Sequence, residues 1–179
     1  MKSISENKKR ENIVEYILYM YRMEDLLRAY NFNMEDIQQY VLSHKRVPEK
    51  ERAESNLWYM QLAKQMKSQG IERQGHLSAT QKLVDKLAAL HWALIKNDPF
   101  YFKLNMKTKP HLLDLIQAAG EKNPGHEIQI FINCLYGLLL SRLNGKKVAP
   151  GLLEAAADFG EALGYLNKVY QEKSKFNSL

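Results

Sequence analysis

The sequence predicts an all-α fold, an antiparallel bundle of six or seven helices. Apolar residues recur at helical spacing through most of the chain, and no segment shows the alternating pattern of a strand. Only 9 Gly and 5 Pro interrupt the 179 residues, which favours long helices joined by short connections. The composition, 45% hydrophobic and 26% charged, is that of a globular protein rather than a disordered one. We expect a single domain over residues 1–179, with residues 1–4 and 174–179 frayed.

Capping residues and apolar rows define the helices of the first half. Ser3 followed by Glu6 is a capping-box pattern, so the first helix is expected to begin near Ser5. Val47-Pro48 breaks the second helix, and Ser78 caps the fourth. The predicted helices of this half span residues 5–29, 34–44, 49–68 and 78–96.

Prolines and glycines divide the second half. Asp98-Pro99 is a cap followed by a first-turn proline, and Pro110 is expected to end one short helix and start another. The helix near 126–143 is apolar almost all round, so we expect it to be the buried centre of the bundle. The predicted helices here begin at 99 and span 110–119, 126–143 and 150–173.

Glu24 and Asp25 are unusual because they continue the two apolar rows of the first helix. A carboxyl group that faces the core can serve as a general acid. Arg28 follows Glu24 by four residues and Asp25 by three, so an ion-pair cluster explains the same residues structurally. His91 lies on the apolar stripe of the fourth helix, where it is expected to be a hydrogen-bonded core residue or a pocket-lining base. These four residues form the predicted polar cluster.

The sequence predicts no catalytic, cofactor-binding or metal site. His111 and Asp114 share a helical face, but no third ligand is close in sequence. His126-Glu127 lacks the second histidine of a zinc-protease motif, because position 130 is Ile130. No glycine-rich phosphate loop is present, and no cofactor is expected.

Basic residues form two small acid-free patches in a chain of net charge +6. Aromatic residues precede the first patch, and such interleaving can hold single-stranded nucleic acid through phosphate contacts and stacking. Cations at a helix end also complement its dipole, which is the structural alternative. The candidate residues are Lys103, Lys107, Lys109, Arg142, Lys146 and Lys147.

The last helix carries small residues at spacing four, namely Ala156, Gly160 and Gly164. A glycine inside a helix costs roughly 1 kcal/mol relative to alanine, so close packing is expected to offset it. The partner is either the central helix of the same chain, near Gly137, or a second copy in a homodimer.

A cytoplasmic protein without a membrane span is expected. The single cysteine, Cys134, cannot form an internal disulfide, which suits a reducing compartment. The apolar run from 128 to 143 is too short and too polar for a span of ~20 residues.

Four stretches of the chain carry a resemblance to a known family: 54–60, 75–77, 135–138 and 143–146. They resemble an uncharacterised bacterial family of unknown function, all-helical and about 180 residues long. The resemblance implies this fold and no activity. The leading functional hypothesis is a non-catalytic cytoplasmic interaction or scaffold domain that can associate with itself. The alternatives are a weak nucleic-acid binder and a hydrolase or lyase that uses a buried carboxylate.

Overall fold

A computed structural model describes residues 2–43 and 49–176 of the chain. These residues form eight α-helices and no β-strand, which confirms the all-α prediction of a helical bundle. The helices are α1 (Lys2–Glu11), α2 (Ile13–Ala29), α3 (Met34–Ser43), α4 (Glu49–Ser68), α5 (Ser78–Asn97), α6 (Pro99–Ala119), α7 (Glu127–Leu143) and α8 (Pro150–Phe176).

The described residues form eight helices instead of the predicted six or seven. Two residues, Asn12 and Pro110, explain where the helix boundaries differ from the predicted ones. Asn12 divides the predicted first helix because its backbone is extended and its side chain accepts bonds from the N–H groups of Val14 and Glu15, both at 3.1 Å. A new N-cap therefore starts α2. Conversely, α6 continues through Pro110, where the sequence predicts a break. Buried side chains on both sides of Pro110 hold that helix together.

Some predicted features lie outside the described residues. These are the break at Val47-Pro48, His44 at the end of the second helix, Met1 and residues 177–179. The other residues predicted to fray, 2–4 and 174–176, belong to α1 and α8.

The chain divides into two compact units, residues 1–82 and 83–179. Whether they behave as a single domain stays a prediction. The first unit buries apolar side chains of α2, α3 and α4 together with Leu77, which precedes α5. Within this core the Tyr59 hydroxyl lies 3.2 Å from the Met23 sulfur. That contact gives the buried hydroxyl a weak acceptor.

The second unit is built around α8, which packs against both α6 and α7. Phe131 of α7 and Phe159 of α8 stack with ring centroids 4.2 Å apart, and both are fully buried. The first half of α7 is largely buried, whereas Leu143 at its end is 53% exposed.

Among the described helices, none is both long enough and apolar enough to cross a membrane.

Candidate functional site

Glu24 is the most deeply buried carboxylate of the first unit, with no solvent exposure. One of its oxygens accepts the backbone N–H of Leu77 at 3.1 Å, and the other lies 2.7 Å from Nδ1 of His76. The His76 ring stacks on Tyr21 with centroids 3.4 Å apart. A buried carboxylate needs such partners because desolvation otherwise makes its charge very costly. Glu24 therefore attaches the segment before α5 to α2.

Arg28 and Asp25 reinforce the same attachment. The Arg28 guanidinium donates to Asp25 at 2.8 Å, and its second terminal nitrogen donates to the carbonyl of Ile71 at 3.0 Å. The same nitrogen contacts the carbonyl of Gly75. The predicted cluster is therefore divided, since Asp25 pairs with Arg28 while Glu24 pairs with His76. A histidine that is hydrogen-bonded to a carboxylate can act as a general base, but here Glu24 and His76 attach the segment before α5 to α2.

His91 has different partners, in the second unit. Its Nδ1 lies 2.7 Å from the Tyr101 hydroxyl, and its Nε2 lies 3.3 Å from a carboxylate oxygen of Glu127. The other Glu127 oxygen accepts from Lys109 Nζ at 2.7 Å. The hydrogen bond from His91, aided by Lys109, lowers the pKa of Glu127 despite partial burial. This chain of four polar groups links α5, α6 and α7, as the core alternative for His91 expects.

The two basic patches differ in how many of their cations form ion pairs with carboxylates of the same chain. Lys107 pairs with Glu161 at 3.0 Å and Lys109 with Glu127 at 2.7 Å. Lys103 is exposed on the same helix. The exposed residues of the second patch, at the end of α7 and just beyond it, are Arg142, Lys146 and Lys147. Two cations of the first patch are thus partly neutralised inside the chain.

The small residues of α8 have no close neighbour that would explain them. Ala156 is buried, but a Cβ built on Gly160 or Gly164 meets no atom of the described chain within 4 Å. The same holds for Gly137 of α7, the expected intramolecular counterpart. The close approach that the spacing predicts is therefore absent between the described helices.

A stripe of exposed apolar side chains runs along α6, and the sequence reasoning missed it. Phe102, Met106, Leu113 and Ile116 are between 42% and 64% exposed. At 3.6 residues per turn these four positions fall within about 80° of arc and span about 21 Å of the helix. We call this set the α6 stripe. In the sequence, successive residues of the stripe are 4, 7 and 3 positions apart, and this helical spacing is equally typical of a row that faces the core.

His111 lines a surface groove of about 380 Å³ between α6 and α8, with Asp114 and Glu154. Its Nε2 lies 3.1 Å from Asp158. In the part of the chain that the structure describes, no three histidine, cysteine or acidic groups converge to hold a metal ion. The His111–Asp114 pair thus acquires no third ligand there.

Comparison with known proteins shows the family of this chain. A family model described as a domain of unknown function (DUF4924) matches residues 2–177. This confirms the resemblance to an all-helical family of unknown function, while the bacterial origin stays a prediction. No curated protein and no solved structure matches the chain significantly.

Proposed function

The chain belongs to the DUF4924 family, a domain of unknown function, and we propose that it is a non-catalytic interaction domain that pairs with a second copy of itself. The observation that carries the proposal is the α6 stripe. Four large apolar side chains on one rigid helix form the kind of exposed patch that marks an interaction surface.

The spacing of the stripe fits a second copy as the partner. A two-fold symmetric interface requires a surface that is complementary to itself. The midpoint between Phe102 and Ile116 is position 109, and the midpoint between Met106 and Leu113 falls between 109 and 110. Two antiparallel copies of α6 crossing near Lys109 would therefore match Phe102 with Ile116 and Met106 with Leu113.

The charge near the crossing point is compatible with this pairing. Lys109 lies in the same arc of α6, so two copies would bring two ammonium groups together. Each Lys109 is already paired with Glu127 at 2.7 Å within its own chain. That pairing weakens the repulsion that two free lysines would produce across the axis.

The expected affinity of the two copies follows from the apolar surface of the α6 stripe that pairing would bury. Covering a half-exposed large side chain contributes about 1 kcal/mol, half of what full burial gives. Eight such side chains, four from each copy, contribute about 8 kcal/mol. Association costs at least about 4 kcal/mol in lost translational and rotational freedom, so at most about 4 kcal/mol remains, which corresponds to a dissociation constant of about 1 mM.

Sedimentation equilibrium at protein concentrations up to about 1 mM tests the pairing and its register. The M106E/L113E variant sets like charges against each other and is expected to be monomeric. The M106E/L113K variant places opposite charges across an antiparallel interface and is expected to dimerise again. In a parallel interface the second variant would oppose like charges, so its recovery identifies the antiparallel register.

The matched control is L143E, which changes another exposed leucine of the same unit. It is expected to dimerise like the natural chain. A natural chain that stays monomeric at 1 mM contradicts the proposal, and so does an L143E variant that loses dimerisation equally.

The last helix offers a second surface for self-association. Gly160 and Gly164 leave open space where a Cβ would lie, so nothing in the described chain offsets their cost of roughly 1 kcal/mol each. A G164L variant would block the approach of another helix, whereas G151L changes a glycine on another face of α8. Loss of dimerisation in G164L alone would favour this surface over the α6 stripe.

The remaining parts of the proposal concern location and the rival functions. We propose a cytoplasmic location because the single cysteine, Cys134, forms no internal disulfide, which suits a reducing compartment. Nucleic-acid binding is less favoured because Lys107 and Lys109 are paired within the chain. Salt-dependent binding of single-stranded RNA that disappears when Arg142, Lys146 and Lys147 are neutralised would revive that alternative.

A further inference from the structure

A surface cavity of about 400 Å³, open to solvent, lies between α5 and α8 in the second unit, and none of its lining residues belongs to the α6 stripe. Lys86 contributes one ammonium group from α5, and Lys173 contributes another from α8. Tyr170 lines the same cavity. A volume of this size is in the range of small-molecule sites, about 300 to 1,000 Å³.

Three of the four polar side chains that line this cavity have no acceptor among the described residues, whereas the fourth, Ser174, donates its hydroxyl to the carbonyl of Tyr170. Neither lysine forms an ion pair, and the Tyr170 hydroxyl forms no hydrogen bond with another described residue. Elsewhere on the second unit, Lys107 and Lys109 do find carboxylates. Both lysine side chains are exposed, so an anion bound in this cavity would be shared by two ammonium groups that otherwise face solvent.

The apolar side of the cavity comes from α5. Ala89 and Ala93 lie one turn apart, and their small side chains leave the space that defines the cavity. Leu90 is buried at the same place. The cavity therefore offers a cationic end and an apolar wall, which together fit an anion with an organic body.

We propose that this cavity binds a small phosphate monoester. A phosphate carries about −1.5 to −2 charges at neutral pH and presents three acceptor oxygens. Lys86, Lys173 and Tyr170 supply three donors for them, and the alanine wall packs against the organic part. A phosphate ion alone would fill only a small part of 400 Å³, so the organic body contributes to binding.

Titration of the full chain with phenyl phosphate, followed by ¹H–¹⁵N spectra at constant ionic strength, tests the proposal. Saturable shifts are expected at amides of α5 and α8 around the cavity. Inorganic phosphate keeps the charge without the ring and is expected to bind about tenfold more weakly. Phenol keeps the ring without the charge and is expected to cause no saturable shift.

Three variants locate the site. K86Q and K173Q each remove one cation and are expected to weaken phenyl phosphate binding about five- to tenfold. A93L fills the cavity and is expected to weaken phenyl phosphate much more than inorganic phosphate. The matched control is K168Q, which removes an exposed lysine of α8 that does not line the cavity, and its affinity is expected to be unchanged.

The proposal is overturned by any of three results. These are no saturable binding of phenyl phosphate up to about 20 mM, equal weakening by K168Q and K86Q, or an A93L variant that binds normally. Tighter binding of a single-stranded oligonucleotide at the same amides would assign the two lysines to nucleic acid instead, and would equally overturn it.

Discussion

Replacing Glu24 with alanine is expected to destabilise the first unit by about 3 to 5 kcal/mol. The substitution removes both groups that the carboxylate holds, the Leu77 N–H at 3.1 Å and His76 at 2.7 Å. A buried donor left without a partner costs about 1 to 3 kcal/mol, and the loss of a hydrogen bond to a charged group costs about 1.5 to 3 kcal/mol.

Two further variants separate the hydrogen bonds from the charge. E24Q retains an oxygen that can accept the Leu77 N–H, so its cost is expected to be about 1 to 2 kcal/mol. Asp25→Ala breaks a more exposed ion pair with Arg28 and is expected to cost about 1 kcal/mol or less. The predicted order of stability is therefore natural chain, D25A, E24Q, E24A.

Urea unfolding followed by tryptophan fluorescence measures this order. Trp58 belongs to the first unit and Trp92 to the second, so a Trp92→Phe background leaves one reporter in the unit under test. Hydrogen exchange of the Leu77 amide gives a local measure, since a loss of 2 kcal/mol in protection speeds exchange about 30-fold. The reasoning is refuted if E24A is no less stable than D25A, or if the Leu77 amide exchanges at the same rate in both.

Three other substitutions test the polar contacts of Glu127, the cap of α2 and the proline within α6. His91 and Lys109 lower the pKa of Glu127, so the stability that ionised Glu127 provides is present above the ordinary glutamate range and is lost as the pH falls through the lowered value. In acid titrations followed by circular dichroism, E127Q should therefore flatten the loss of stability below about pH 4.5. Asn12→Ala removes the cap of α2 and should cost about 1 kcal/mol in thermal unfolding. Pro110→Ala restores a helical hydrogen bond in α6 and should stabilise the second unit by about 1 to 3 kcal/mol, whereas a neutral result would mean that α6 already compensates for the proline.

The helices were largely predictable because their signals are local. Caps and glycines lie within a few residues of the boundaries that they set, as at Asp98, whose side chain accepts the N–H groups of Phe100 and Tyr101. The errors arose where tertiary packing overrides a local rule. Pro110 normally ends a helix, yet buried Thr108 and Leu112 continue the packed face across it.

The candidate site was less predictable because its contacts are distant in sequence. The inward direction of Glu24 follows from helical spacing, but its partner His76 lies 52 residues away in a loop. The exposure of side chains on α6 was equally hard to predict, because the sequence does not show which members of the aromatic run after Pro99 face the core. The structure leaves Phe100 and Phe102 exposed and buries Tyr101, which stacks on Tyr165 of α8 and lies within hydrogen-bond distance of His91 of α5. This tertiary packing decides which side of α6 faces out.

The most direct test of self-pairing through α6 is a distance measurement between two copies. A spin label at Gln117, introduced as Gln117→Cys in a Cys134→Ala background, lies about 11 Å along the helix from the crossing point near Lys109. Two copies would then be separated by about 22 Å along the axis and about 10 Å across it, which gives about 25 Å between labels. Pulsed dipolar spectroscopy at about 0.5 mM protein should show this distance, and M106E/L113E should abolish it. A signal without any intermolecular distance, or one longer than about 40 Å, would contradict antiparallel pairing.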